Sequence, residues 1–306
     1  MDVIDGLKAF VATAQTGSFT AAADQLGVSN RLTSKYVAEL ESRLGTRLLQ
    51  RTTRKVGLTP AGEGLLLRAP ALLDDFDDML AAASEDTRGL TGAMRVSAPM
   101  TFGEVYVACM LGRFTDRHPG VNIDLRLDDK YIDLAADGID VAFRIGVTDT
   151  LSIKVKKLGE MRTCLVASPE YLTRKGTPHS VSDLTDHSFV LDSNMRNPKR
   201  WTLRKDGKDV VVDVEEGIRV NSARAACELA VAGRGISLSP MFAVSERLRS
   251  GELTTLLEDY EGRRNPVSAV YLEGRRLPRK VRALIDFASE DFKANDELWS
   301  QCRSSI

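Results

Sequence analysis

The run from Ser18 to Leu44 constrains the fold of this chain more than any other. Ser18-Phe19-Thr20-Ala21-Ala22-Ala23-Asp24-Gln25-Leu26-Gly27-Val28-Ser29 reads as a short helix, a glycine-containing turn and an N-cap serine, and Asn30 to Arg43 reads as a second helix. In that second helix Thr33, Val37, Leu40 and Leu44 recur at spacings of four, three and four, so they share one inward face. Ser29, Asn30, Arg31, Ser34 and Lys35 are left at the leading turn and on the opposite face. This is a helix-turn-helix pattern, in which the leading turn of the second helix suits the edges of bases in a major groove. A plain helical hairpin with a solvated polar face would show the same local spacing, so the neighbours decide.

Upstream, Leu7, Phe10, Val11 and Ala14 follow the i, i+3, i+4, i+7 rule, which predicts a helix from about Asp5 to Gln15 packed on Phe19, Ala22, Ala23 and Leu26. Downstream, Leu48-Leu49-Gln50-Arg51 and Lys55-Val56-Gly57-Leu58 are short strand-like runs around Thr52-Thr53-Arg54. They predict a wing-like hairpin that carries Arg51, Thr53, Arg54 and Lys55 at its tip. From Ser29 to Leu58 the chain has seven cations against two anions, a net +5, and phosphate binding needs such a local excess. From Thr59 to Arg88 the balance reverses to −5, so the overall −1 conceals a polar chain.

The run Phe10, Gly17-Ser18-Phe19-Thr20-Ala21-Ala22-Ala23, Leu26, Val28-Ser29, Ser34, Leu40-Glu41, Leu44-Gly45, Leu48, Arg51 and Leu58-Thr59-Pro60-Ala61-Gly62 resembles the amino-terminal domain of LysR-type transcriptional regulators. The likeness spans about 60 residues in order and without gaps. Where the family commonly begins its recognition helix with Ser-Gln-Pro-Ala, this chain has Ser29-Asn30-Arg31-Leu32. The departure lies in the base-reading turn, so an operator sequence does not carry over.

Thr59 and Pro60 are an N-cap and a first helical residue, and predict a helix running to about Thr87. Ala69, Leu72, Phe76, Met79 and Ala83 form a heptad seam on it, which suits either a core stripe or a coiled-coil dimer interface. Pro70 is expected to kink or fray that helix. After Gly89-Leu90-Thr91-Gly92 the period changes to strand (93–98), helix (101–116), strand (121–127), helix (130–137) and strand (139–145), which implies a parallel sheet with crossovers. A second series begins at Arg162 and holds a helix from Pro169, a strand near Phe189 and a hairpin at Asp206-Gly207. It continues with a strand to Val220, a helix from Ser222, a strand at Ile236 and a helix from Pro240. Pro266–Leu272 and a helix from Pro278 then resemble a return to the first lobe.

This order is similar to the family's effector domain, which has the fold of periplasmic solute-binding proteins and holds a small molecule between two lobes. The expected class is therefore α/β: an N-terminal winged helix-turn-helix (1–58), a linker and dimerisation helix (59–89), and a two-lobed α/β effector domain (90–306). Lobe one is expected at 90–161 and 268–306, and lobe two at 162–267. Ligands of such sheets sit at strand carboxyl ends against helix N-termini. Ser97, Met100 and Thr101 lie at one predicted strand-to-helix junction, Asn221 and Ser222 lie at another, and Arg144 ends a strand. These are the candidate ligand residues, and the cation with the helix ends suits an anionic effector. Capping for each Ser or Thr, and pairing with an Asp for Arg144, are the ordinary alternatives.

The same sequence weighs against other classes. An enzyme would need a nucleophile with a base, a carboxylate pair or metal ligands, and His118, His179 and His187 have no ligand-like spacing, so neither catalysis nor a cofactor is expected. Cys109, Cys164, Cys227 and Cys302 match no C-x-x-C spacing, which leaves core packing as the expectation and a redox-responsive regulator as an alternative. Cys109, among Val105, Val107, Ala108 and Leu111, is expected to be buried. A solute-binding module for transport would leave the first 58 residues without a role. No leader or apolar run of about 18 residues is present, so a cytoplasmic protein without membrane contact is expected. Its expected partners are double-stranded DNA, a small-molecule effector and further copies of itself, as a homodimer or homotetramer.

Overall fold

Two units make up the structure, a computed structural model, one around residues 1–89 and the other around 90–273 with the C-terminal helix. The residues described are 2–51, 56–70, 72–73, 76, 79–80, 89–130, 133–146, 153–214, 217–273 and 277–295.

The first unit opens with α1 (Val3–Thr16), α2 (Phe19–Leu26) and α3 (Asn30–Leu44), whose N-caps are Asp2, Ser18 and Ser29. Gly27 ends α2 in the left-handed region at φ 65°, which a residue without Cβ adopts at no steric cost, and this sets the turn into α3. Leu7, Phe10, Val11, Val37, Leu40, Leu48 and Leu49 form the core between the helices and the hairpin. Burying each large side chain contributes roughly 1.5–3 kcal/mol. Leu44, expected to face inward, is 49% exposed. The helix stops beside it at Gly45, and Leu48 fills the core instead, where its N–H and that of Leu49 donate to the Glu41 carboxylate at 2.7 and 3.1 Å.

The hairpin pairs β1 (Leu49–Arg51) antiparallel with β2 (Val56–Leu58). Thr59 then caps α4 (Pro60–Leu66), and Gly62 lies so close to the Leu48 carbonyl that a Cβ has no room. The single helix expected to Thr87 is interrupted. A turn at Leu67-Arg68 precedes Pro70, which has no N–H for the carbonyl four residues back, and the Arg68 N–H donates to Leu65 O at 3.0 Å instead. Helical residues resume at Ala69 and recur at 70, 72, 73, 76, 79 and 80. Ala69, expected in the seam, is buried in the unit's own core together with Leu73, whereas Leu72 and Met79 are 54% and 57% exposed. Asp74, Asp75, Asp77, Asp78 and Ala83 lie outside the described residues, as do Thr53, Arg54 and Lys55 of the hairpin tip.

In the second unit β3 (Thr91–Ala98) leads through helical turns at Met100–Phe102 and a π turn at Gly103–Val107 into α5 (Ala108–Arg117). β4 (Gly120–Leu127) and β5 (Val141–Ile145) flank β3 in parallel. The helix expected over 130–137 is replaced by turns, with residues 131 and 132 outside the described set. The Asp133 carboxylate accepts the N–H groups of Ala135 and Ala136 at 2.9 and 3.1 Å, which competes with a regular helical start, and Gly138 closes the turn. β6 (Ile153–Ala167) is the long strand of the unit.

Lobe two adds α6 (Pro169–Lys175), β7 (Phe189–Asp192), the hairpin of β8 (Arg200–Lys205) and β9 (Lys208–Asp213), and β10 (Ile218–Val220). It continues with α7 (Ala223–Val231), β11 (Ile236–Pro240), α8 (Met241–Arg249), β12 (Thr254–Leu256) and β13 (Glu261–Gly262). β14 (Arg264–Leu272) and α9 (Arg279–Ala294) complete lobe one. The strand order β10-β7-β11-β6-β14-β5-β3-β4 makes β6 the shared strand: residues 153–162 pair with β14 and residues 163–166 with β11. Lobe two packs around Trp201, Tyr171, Phe189 and Ile236. In lobe one, α9 is fixed to α5 and the π turn before it by Asp291, which accepts from Tyr106 Oη at 2.8 Å and from Arg113 Nε and Nη2 at 2.9 and 2.7 Å.

Candidate functional site

In the first unit, α3 presents a polar face opposite its buried one. Ser29 is spent on the cap, its Oγ accepting the Leu32 N–H at 3.2 Å. Asn30 donates from Nδ2 to Thr20 Oγ1 at 3.2 Å, which ties the leading turn of α3 to α2. Arg31 and Lys35 are exposed, Ser34 is half-buried, and Lys35 lies 3.7 Å from Glu39. Ala38 and Ser42 continue the exposed row of Arg31 and Lys35, while Thr33, Val37 and Leu40 are buried behind it. The Arg51 side chain is outside the described set with the hairpin tip.

In the second unit, the strand ends of both lobes meet. Ser97 is fully buried on β3, and its Oγ accepts from Arg144 Nη1 and Nη2, each at 3.4 Å, while Nη1 also donates to Phe143 O at 3.0 Å. Thr101, 5% exposed, does not keep its hydroxyl for a ligand alone: Oγ1 accepts the Arg224 N–H of α7 at 3.3 Å. The Met100 N–H donates to Asp129 Oδ1 at 2.9 Å. Ser222 Oγ accepts the Ala225 N–H at 3.3 Å, and Asn221 contributes its carbonyl to Asn194 Nδ2 at 2.9 Å. Asn194 Nδ2 also donates to Asp129 Oδ2 at 3.1 Å, and Arg224 pairs with Glu104 at 3.2 Å. Of the expected ligand residues, Ser97 meets Arg144 and Met100 meets Asp129 within lobe one, Ser222 caps its own helix, and Thr101 reaches across to α7.

The thiols divide. Cys109 is exposed, against expectation, because Tyr106, Val107, Met110, Leu111 and Phe114 take the inward positions around it. Cys164 and Cys227 are buried, and burial pushes the Cys227 thiol up to about 11, away from the reactive thiolate. Among the described residues no group of His, Cys, Asp and Glu could hold a metal ion, and no helix is long and apolar enough to cross a membrane.

Comparison with known proteins decides the family. The model of the bacterial regulatory helix-turn-helix protein, lysR family, matches residues 4–63, and that of the LysR substrate binding domain matches residues 87–293. The chain belongs to the LysR family. It is a DNA-binding transcription regulator with an effector-binding domain. Among its LysR-type relatives, an HTH-type transcriptional repressor of Pseudomonas aeruginosa is 32% identical over 300 residues, covering 97% of this chain and 95% of that protein. The full-length virulence activator AphB of Vibrio cholerae is 29% identical with a TM-score of 0.58, covering 94% of this chain and 98% of the other. CrgA of Neisseria meningitidis is 28% identical with a TM-score of 0.60, covering 94% and 97%.

Residues of this LysR-family chain that the sequence left unmarked are Thr20 on α2, and Glu104, Asp129, Asp192, Asn194 and Arg224 at the junction. Thr20 lies in the first turn of α2, and its contact with Asn30 crosses the turn between the two helices. The junction residues sit on connections whose mutual approach depends on the path of the sheet, and no local spacing announces it.

Proposed function

We propose that this regulator grips duplex DNA with the exposed face of α3, with Arg31, Ser34 and Lys35 near base edges and Ser29 and Asn30 at the leading turn. Arg51, Thr53, Arg54 and Lys55 of the hairpin reach phosphates. A small anionic effector lodges where the lobes meet, held by Ser97, Met100, Thr101, Arg144, Asn221 and Ser222, and adjusts the grip on DNA. The 59–89 segment joins two copies through its exposed Leu72 and Met79. The observation that supports this reading best is the exposed row of Arg31 and Lys35 on a helix whose other face is buried, inside a window of net +5.

The effector part has its own support. Arg144 offers a guanidinium fork beside Ser97, and Thr101 touches both lobes, so a ligand bound there would change how they meet. The test is a thermal-shift screen of the full chain against small acids, followed by DNA affinity with and without each hit. A bound ligand stabilises in proportion to the logarithm of its concentration over its dissociation constant. A hit that alters DNA affinity, and does so less in Arg144→Ala, supports the reading; hits indifferent to both Arg144→Ala and Thr101→Val contradict it.

A further inference from the structure

One group at the lobe junction has no role in the function proposed above. Asp192, the last residue of β7, is 8% exposed, and its Oδ1 accepts the Asn194 N–H at 2.9 Å. Among the described residues no donor meets its other oxygen. No fully sealed side-chain oxygen among them lacks a partner, so this oxygen occupies the small part of Asp192 that remains accessible. It is therefore not fully sealed into the core. Asp129 approaches from lobe one, its Oδ1 on the Met100 N–H and its Oδ2 on Asn194 Nδ2. Two carboxylates from opposite lobes thus converge on one asparagine, and among the described residues no lysine or arginine pairs with either.

A buried carboxylate without a counter-charge is strongly unfavourable, more so beside a second one. Burial raises the pKa of Asp192, and the charge of Asp129 adds to this. A cationic ligand would relieve both. A divalent metal is a poor match, because it asks for about six oxygen donors and no third ligating side chain joins the pair. A protonated amine, with three donors on a small head, fits one free carboxylate oxygen and its neighbour. Asp192 lies opposite Val220 in the β7–β10 register, next to Asn221, while Asp129 holds Met100, three residues from the Ser97 that Arg144 contacts.

We propose that the junction takes a small ligand bearing a protonated amine as well as an anionic group, an amino acid in class, with the amine on Asp192 and Asp129 and the anionic group on Arg144. This rests on the reading of the junction as the effector site and narrows its ligand. The test is a thermal-shift titration of the full chain with individual amino acids and with the carboxylic acids of the same carbon skeletons that lack the amine. Wild type, Asp192→Asn and Arg144→Ala are compared, with Asp129→Asn replacing Asp192→Asn if the latter fails to fold. At least one amino acid is expected to bind about tenfold or more tightly than its deaminated counterpart, and Asp192→Asn is expected to abolish that preference while still binding the acid.

Equal binding of the two members of every pair, a preference that survives in Asp192→Asn, or no shift with any amino acid overturns the proposal. Deaminated acids that bind wild type as tightly as the matching amino acids, but fail to bind Arg144→Ala, overturn the amine assignment and leave the effector site standing. Ligands that bind Arg144→Ala and Asp192→Asn as tightly as wild type overturn both.

Discussion

Replacing Thr101 by Val probes the lobe junction at a single atom. Arg224 is the second residue of α7, where an N–H has no carbonyl within its own helix, and Thr101 Oγ1 accepts it at 3.3 Å from the other lobe. Thr101 is 5% exposed and valine keeps its shape, so the change removes an acceptor and little else. Such a bond contributes about 0.5–1.5 kcal/mol net, and up to about 3 kcal/mol if the stranded N–H stays dry. At about 1.4 kcal/mol per factor of ten, amide exchange at Arg224 should accelerate about 2- to 10-fold, rising towards roughly 100-fold in the dry case. Hydrogen exchange of the full chain reads this directly. The Ala225 amide, held by Ser222 Oγ within lobe two, serves as the internal control and should not change. Equal exchange at Arg224 in both proteins would refute the reasoning, as would equal acceleration of every α7 amide, which would mean that lobe two itself had loosened.

Arg31→Ala should change sequence preference among duplexes by about 1–3 kcal/mol, while Arg54→Ala should weaken all sequences alike and lower the salt slope by about one; competition binding separates the two. Phe76→Asp places a charge between the exposed Leu72 and Met79 and should dissociate the oligomer, whereas unchanged sedimentation would show that this face has no partner copy. Burial alone would raise the pKa of Asp291, but its bonds from Arg113 and Tyr106 outweigh this and hold it below the usual carboxylate value. Its stabilisation is therefore present above the unfolded pKa of about 4 and is lost as pH falls through the folded one. Asp291→Asn should cost about 1–2 kcal/mol near neutral pH and flatten the acid limb of a stability-versus-pH curve, and an unaltered limb would contradict the assignment.

The first unit was the more legible because its rules are local. Apolar spacing of three and four placed Leu7, Phe10, Val37 and Leu40 in the core, and Ser29 and Thr59 announced helix starts that their hydroxyls do cap. The same spacing misled at Leu44, and left Ala69 open between core and dimer seam, since a period says which residues share a face and not what that face meets. The parallel strands of lobe one were readable from alternation between strand and helix periods, whereas the turn at 133–138 hid behind good helix formers, because one carboxylate, Asp133, redirects two N–H groups. At the junction the sequence marked hydroxyls and a cation at strand ends. It could not show that Thr101 already holds an N–H from the other lobe, that Met100 donates to Asp129 at the end of a neighbouring strand, or that Asp129 and Asp192 approach each other, because these meetings depend on the path of the sheet and not on local spacing.

The central claim is that residues 1–58 read duplex DNA, and it is tested most directly by binding a duplex selected from a random library across roughly 50–200 mM salt. The full chain and a chain beginning at residue 59 are compared on the selected duplex and on a scrambled one. The account predicts that the full chain prefers the selected duplex, that its affinity falls steeply and linearly on a logarithmic scale as salt rises, and that the shortened chain retains neither the preference nor the slope. Equal binding by the two proteins, or a full chain that cannot tell the two duplexes apart, would contradict it.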